Sequence, residues 1–199
     1  MDAVAISLAL LEEVHAETDL KRLARRYIEA GRCELFERHR DGAGGLEVVS
    51  AWSTVMDHVI RHLFTIISSE CARRFPTPNP RFALLAQGGY GRGELNPLSD
   101  IDLLFLYSWK VSPFIEATTE KLLYTLWDAG LEVGHATRSI AECMRLAEID
   151  MKVRTSLLDS RFLCGDYALY QDFDKRIESR LVKKGLKRFI REKLEENRA

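Results

Sequence analysis

A glycine-rich turn between two apolar runs is the feature that most constrains what this chain can fold into. The run Arg81–Ala86 is short and apolar, and Gly88 and Gly89 follow it after a single glutamine, which is typical of a buried strand entering a tight turn. Because glycine has no Cβ, this backbone can approach a ligand closely. A short helix over about Tyr90 to Leu95 is expected next, with free N–H groups that can bind an anion. The sequence therefore predicts a phosphate-binding turn.

Two carboxylates separated by one residue follow this turn. Pro97 ends the short helix, because the residue before a proline is disfavoured in the α region. Asp100 and Asp102 then enter a second apolar run, and the period of two along a strand places both on one face. Such a pair is the usual donor set for a shared divalent cation, with Mg²⁺ the best fit and Mn²⁺ as a substitute. A solvated turn is the alternative for a bare Asp-x-Asp, but the order of strand, glycine turn and acidic strand favours a metal site.

The N-terminal part of the chain is predicted to be helical. Amphipathic helices are expected within Ile6–Phe36 and over about Leu46–Arg74, separated by the glycine-rich linker Arg40–Gly45. We therefore expect an N-terminal helical arm that precedes an α/β core.

The C-terminal part is predicted to add one more strand and several helices. A helix is expected from Pro113 to Ala129, capped by Gly130, and a third strand over Leu131–Thr137. The remainder is interpreted as helical, including the charged run Lys183–Arg198. The fold class is thus α/β (α+β), a small mixed sheet flanked by helices. The expected division is a helical arm and linker (1–45), a core (46–150) and a C-terminal helical segment (151–199).

Composition excludes several classes of function. With 30 acidic and 29 basic residues the formal net charge is −1, so no global charge favours binding to nucleic acid or to a membrane surface. No apolar run approaches the roughly 20 residues of a membrane span, and no signal peptide is recognised. The four cysteines lack metal-ligand spacing and are expected to be free thiols of a cytoplasmic protein; they are Cys33, Cys71, Cys143 and Cys164.

The segment from Gly88 to Leu106, GGYGRGELNPLSDIDLLFL, resembles the nucleotidyltransferase signature of the protein-PII uridylyltransferase family, which belongs to the DNA polymerase β-like nucleotidyltransferase superfamily. Similarity continues through Leu126–Ser139, which resembles the family's following helix and strand. Leu157–Asp166 is similar to its next helix, and Phe189–Glu196 to a helix that leads into the rest of the enzyme. The resemblance covers roughly residues 50 to 199.

This resemblance implies a polymerase β-like fold and Mg²⁺-dependent transfer of UMP from UTP to a tyrosine of the nitrogen-regulatory protein PII. It implies that Gly88, Gly89, Arg92 and Ser99 bind the nucleotide, and that Asp100 and Asp102 hold the metal and act in catalysis. From the residues alone, Arg92 could instead be a solvated side chain and Ser99 a turn cap. Neither nucleic acid nor a membrane is an expected partner.

Two departures from the family pattern qualify these expectations. The wider superfamily places a third carboxylate on the neighbouring strand, where this chain offers only Glu132. No His-Asp dipeptide occurs, so we expect no uridylyl removal by a phosphohydrolase site of the HD type, and no response to glutamine. The alternatives are an inactive nucleotide-binding module and an adenylyltransferase-type relative with another acceptor.

Overall fold

A computed structural model of the protein describes residues 20–76 and 81–183. The predicted helix over Ile6–Phe36 is therefore described only from Leu20 onward. The charged run beyond Lys183, including the predicted helix Phe189–Glu196, lies outside the described residues.

Seven α-helices and four strands follow one another in the described ranges, and a π-helical segment ends them. Their order is α1 (Leu20–Arg40), α2 (Gly45–Arg74), β1 (Phe82–Ala86), α3 (Gly88–Gly91), β2 (Ile101–Tyr107), α4 (Pro113–Asp128), β3 (Val133–Ser139), α5 (Ile140–Ile149), α6 (Met151–Leu158), β4 (Arg161–Gly165), α7 (Tyr167–Ile177) and the π-helix Glu178–Lys183.

The four strands form one mixed sheet in the order β3-β2-β1-β4. Strand β1 pairs antiparallel with β2 and with β4, whereas β2 and β3 are parallel. The parallel pair requires a crossover connection, and α4 supplies it. The predicted mixed α/β fold is therefore confirmed.

Helices cover both faces of the sheet, as the alternation along β2 shows. Ile101, Leu103 and Phe105 belong to a buried cluster shared with α1, α2 and α4. Leu104 and Leu106 belong to a second cluster, shared with α5, α6 and α7. Because side chains alternate along a strand, Asp102 lies on the same face of the sheet as Leu104 and the second cluster, at the exposed start of β2.

The N-terminal helices pack into this core. The glycine-rich linker is confirmed as a break between α1 and α2, and α2 begins one residue before the prediction. Tyr27, Ile28 and Leu35 of α1 are buried in the same cluster as the strand residues. The segment predicted as an arm is thus, from Leu20 onward, part of the folded core.

Three predictions about elements need correction. The short turn helix spans Gly88–Gly91 instead of Tyr90 to Leu95, because helical hydrogen bonding already begins where the Gly91 N–H donates to the Gln87 carbonyl at 2.9 Å. Strand β3 begins at Val133, two residues later than predicted. The segment Leu157–Asp166, predicted as a helix, contains the end of α6 and then strand β4, since its backbone pairs with β1.

None of the described helices is long and apolar enough to cross a membrane. All four cysteines are free, as their spacing predicted.

Candidate active site

A polar cleft of about 660 Å³ opens beside the glycine-rich turn. We call it the signature cleft, because nearly all of its lining comes from the signature segment that the sequence singles out. Its walls include five of the predicted site residues, which are Gly89, Arg92, Ser99, Asp100 and Asp102. The structure therefore brings the glycine-rich turn and the two carboxylates to one place.

The two aspartates flank Ile101 at the start of β2. Ile101 is buried, whereas both carboxylates are exposed, so the predicted alternation is confirmed. The pKa of Asp102 is raised above its ordinary value, first because nearby protein atoms remove part of the water around its carboxylate, and second because Asp100 is negatively charged. Within the described ranges neither aspartate has a lysine or arginine at ion-pair distance. Two neighbouring carboxylates without a protein cation form a donor set that suits Mg²⁺.

Two glycines leave room for the Asp102 carboxylate. A Cβ on Gly134 would lie 2.5 Å from Asp102 Oδ1, and a Cβ on Gly88 would lie 3.2 Å from Oδ2. The parallel pairing of β2 and β3 places Gly134 directly beside Asp102. Gly88 also has a φ of +58°, which favours glycine. Sequence reasoning missed Gly134; the signal for it was a glycine inside a predicted strand.

Arg92 is held by two carboxylates. Its Nε donates to Glu94 at 3.0 Å and its Nη1 donates to Asp159 at 2.6 Å. The hydrogen bonds to Glu94 and Asp159 raise the pKa of Arg92 further above its ordinary value. The guanidinium is about half exposed and lines the signature cleft, so its position there is set by these two partners. Asp159, which lies after α6, was missed by sequence reasoning.

Ser99 and Glu132 have different positions relative to the aspartates. Ser99 is exposed in a turn in which its N–H donates to the Asn96 carbonyl at 3.0 Å, and it lines the signature cleft. The Glu132 carbonyl accepts a hydrogen bond from Ile101 N at 2.9 Å, and its side chain is exposed. Over residues 20–76 and 81–183 no group of three or more His, Cys, Asp or Glu side chains is arranged to hold a metal. Glu132 therefore does not complete a three-carboxylate cluster.

A second, smaller cleft of about 240 Å³ lies on the β3 side of Asp102. We call it the β3 cleft; Asp102 lines it as well as the signature cleft. Arg138 and Lys152 bring two cations to this cleft, and His135 lies at its wall. His135 packs edge-on against Phe105 and Trp127, in agreement with its interpretation as a structural strand residue. Asp102 thus stands between two openings of opposite electrostatic character.

The family described as "Nucleotidyltransferase domain" matches residues 66–163. This range runs from the second half of α2 to β4. It includes the glycine turn, both aspartates and Gly134.

Several curated proteins are similar over most of this chain. The bifunctional uridylyltransferase/uridylyl-removing enzyme of Caulobacter vibrioides is 41% identical over 196 residues, which cover 96% of this chain and 21% of that protein. The protein of the same name from Phenylobacterium zucineum is 40% identical over 196 residues, with the same coverage. That from Rhodospirillum rubrum is 48% identical over 142 residues, which cover 70% of this chain and 15% of that protein.

The chain spans about a fifth of the length of the first two of these relatives. The resemblance inferred from the motifs is confirmed. It also reaches further toward the N-terminus than residue 50, because two of the alignments cover 96% of the chain.

Proposed function

Residues 66–163 are a nucleotidyltransferase domain, and from this premise we propose that the chain transfers UMP from UTP to a tyrosine hydroxyl of the nitrogen-regulatory protein PII. In this reaction the tyrosine oxygen forms a bond to the α-phosphorus, the bond to the β-phosphate oxygen breaks, and pyrophosphate leaves. The reaction is proposed to take place in the cytoplasm, where UTP is available.

One observation carries this proposal. Two carboxylates without cationic partners in the described part of the chain lie on one face of β2, in the same cleft as a glycine turn with a positive φ. A cluster of negative charge is unfavourable by itself, and it is expected where a cation and a polyphosphate are bound together. The similarity to uridylyltransferases supports the choice of UTP over other nucleotides.

The predicted site residues in and beside the signature cleft have separate roles in this proposal. The backbone at Gly88 and Gly89 approaches the β- and γ-phosphates closely, because no Cβ intervenes. Arg92 neutralises phosphate charge from the position that Glu94 and Asp159 give it. The Ser99 hydroxyl donates to a phosphate oxygen.

Asp100 and Asp102 are the residues that fit a magnesium ion, since both offer exposed oxygens on one face and Gly88 and Gly134 leave space around one of them. When bound there, Mg²⁺ would supply charge stabilisation for the phosphates. One of the two aspartates is also proposed to take the proton of the attacking hydroxyl.

The direct test is transfer of label to protein. The chain is incubated with α-labelled UTP and Mg²⁺, with and without PII, and labelled ATP is run in parallel. We expect label on PII from UTP only, at a rate that falls by more than about 100-fold in Asp102→Asn, because replacing residues that merely support a metal site already costs 10- to 100-fold.

The control is Asp128→Asn, which changes a carboxylate of α4 that pairs with Lys21 away from the cleft; it should leave the rate unchanged. Label from ATP instead of UTP would identify an adenylyltransferase-type relative. Bound but untransferred UTP would identify a nucleotide-binding module, and either result would contradict the proposal.

A further inference from the structure

A partly buried ion pair lies directly behind the glycine turn. Asp57 of α2 is only 9% exposed. Arg161, the first residue of β4, donates to it through two nitrogens, from Nη1 to Oδ2 at 2.6 Å and from Nη2 to Oδ1 at 3.0 Å. This is the bidentate geometry that makes arginine–carboxylate pairs strong and directional.

The same guanidinium also holds the turn itself. Arg161 Nε donates to the Gly91 carbonyl at 3.2 Å, and Nη2 donates to the Tyr90 carbonyl at 3.1 Å. The Tyr90 hydroxyl donates to Asp57 Oδ1 at 2.8 Å, and the guanidinium lies 5.4 Å from the centre of the Tyr90 ring. Tyr90 is thus fixed through its backbone, its ring and its hydroxyl. Burial, followed by the charge of Asp57, raises the pKa of Tyr90 well above its ordinary value, so the hydroxyl stays a donor.

Two further contacts fix the rest of the turn. The Leu95 N–H donates to the Ser53 hydroxyl of α2 at 2.9 Å. On the other side, Gly91 lies so close to the Asp159 carbonyl that a Cβ on it would overlap that oxygen. The segment from Tyr90 to Leu95 is therefore held from α2 and from the connection between α6 and β4.

We propose that Asp57 and Arg161 are positioning residues that fix the glycine turn in the conformation that accepts the triphosphate. This inference rests on the proposed function of the signature cleft. It adds that affinity for the nucleotide depends on two residues that do not line the cleft.

Stability alone does not account for this arrangement. Replacing a buried ion pair by apolar residues of similar volume is often neutral or stabilising, so such a pair is weak evidence for a stabilising role. Here the guanidinium makes hydrogen bonds to two successive carbonyls of the turn as well as to the carboxylate. These hydrogen bonds fix the conformation of the turn backbone. Such precision matters because a displacement of about 1 Å at a catalytic site can cost about 100-fold in rate.

The test compares two arginine-to-lysine changes in the same strand pair. Arg161→Lys keeps the charge but loses the planar fork, at the end of the β1–β4 pair that meets the turn. Arg81→Lys is the matched control, since Arg81 bridges Asp166 and Asp172 at the opposite end. UTP affinity with Mg²⁺ is measured by calorimetry, and backbone hydrogen exchange is followed in peptides that cover residues 88–95.

We expect Arg161→Lys to weaken UTP binding about 10- to 100-fold, the usual cost of replacing a residue that supports a binding site from behind, and to speed exchange of residues 88–95 relative to the rest of the chain. Arg81→Lys should leave both unchanged. Tyr90→Phe removes only one hydroxyl from the cluster, so it should change the UTP affinity and the exchange rate in the same directions by smaller amounts. If Arg161→Lys does not fold, Tyr90→Phe is the variant that tests the positioning role.

Wild-type protein that binds UTP, with Arg161→Lys and Tyr90→Phe variants that behave like Arg81→Lys, would overturn the positioning role. Failure of the wild-type protein itself to bind UTP would instead contradict the proposed function.

Discussion

At the scale of single residues, the fit around Asp102 decides what the site can hold. Gly134 faces this carboxylate across the parallel pair β2–β3, and the space that its missing Cβ leaves is filled by Oδ1. Any larger residue at position 134 has to displace the carboxylate from its place beside Asp100.

Gly134→Ala should therefore impair UTP binding in the presence of Mg²⁺ and leave the fold intact. The added Cβ would lie 2.5 Å from Asp102 Oδ1, a separation that forces the carboxylate to rotate or shift. Gly45→Ala is the control, because nothing lies within 4 Å of its Cβ. Calorimetric affinity and thermal unfolding are measured for both. Unchanged affinity in Gly134→Ala would mean that the position of Oδ1 is unimportant for binding.

Local patterns predicted the residues of the site that lie within one segment. The glycine pair, Asp100 and Asp102 were found in this way, because turn chemistry and the period of two are local properties. Asp159, 67 residues from Arg92 in sequence, and Asp57, 104 residues from Arg161, were not found. Such contacts depend on how helices and strands pack, so no spacing in the sequence predicts them.

At the scale of elements, a capping box joins the end of β3 to α5. Glu142 accepts hydrogen bonds from Ser139 N at 2.7 Å and Ser139 Oγ at 2.8 Å, and Glu142 N donates back to Ser139 Oγ. The Tyr107 hydroxyl at the end of β2 donates to the same carboxylate at 2.8 Å. This cluster ties together the ends of the two parallel strands, at the opposite end from Asp102.

Glu142→Ala should lower the free energy of unfolding by about 1 kcal/mol near neutral pH, the typical net contribution of an intramolecular hydrogen bond. Hydrogen bonds from the Ser139 backbone and side chain lower the pKa of Glu142 from its ordinary value of 4.5. Its ionised form therefore contributes stability that is present above that value and is lost as pH falls through the lowered pKa.

Urea unfolding of the wild type and the variant at a series of pH values checks this. The difference between them should shrink as the pH falls below 4.5, whereas Glu142→Gln, which keeps an acceptor oxygen, should retain much of the stability near neutral pH. A difference that does not change with pH would show that the charge of Glu142 has no part in the cap.

The sequence predicted most elements but missed β4. Strand β1 is a continuous apolar run, β2 is apolar apart from Asp102, and α4 has a serine cap followed by proline at its start, so each carries its own signal. Strand β4 has only five residues, includes Arg161 and Gly165, and is only partly buried. It forms a strand because it pairs with the free edge of β1. This pairing depends on the tertiary structure and not on a local sequence signal.

At the scale of the whole molecule, the candidate site lies at one end of the sheet. The turn after β1, the start of β2 and the start of β3 meet there, and two helix layers close both faces behind them. Asp102 lies between a cleft lined by the glycine-rich turn and one that contains Arg138 and Lys152. Asp102 is therefore reached from two clefts, whereas Asp100 lines only the signature cleft.

Asp100 and Asp102 are proposed to bind a metal-nucleotide complex together with the glycine turn. Calorimetric titration of the chain with UTP, in Mg²⁺ and in excess chelator, tests it most directly, with an Asp100→Asn/Asp102→Asn double variant alongside. We expect binding to the wild type only when Mg²⁺ is present, and none to the double variant in either condition, with both proteins unfolding at similar temperatures. UTP binding of equal affinity without metal, or to the double variant, would contradict it.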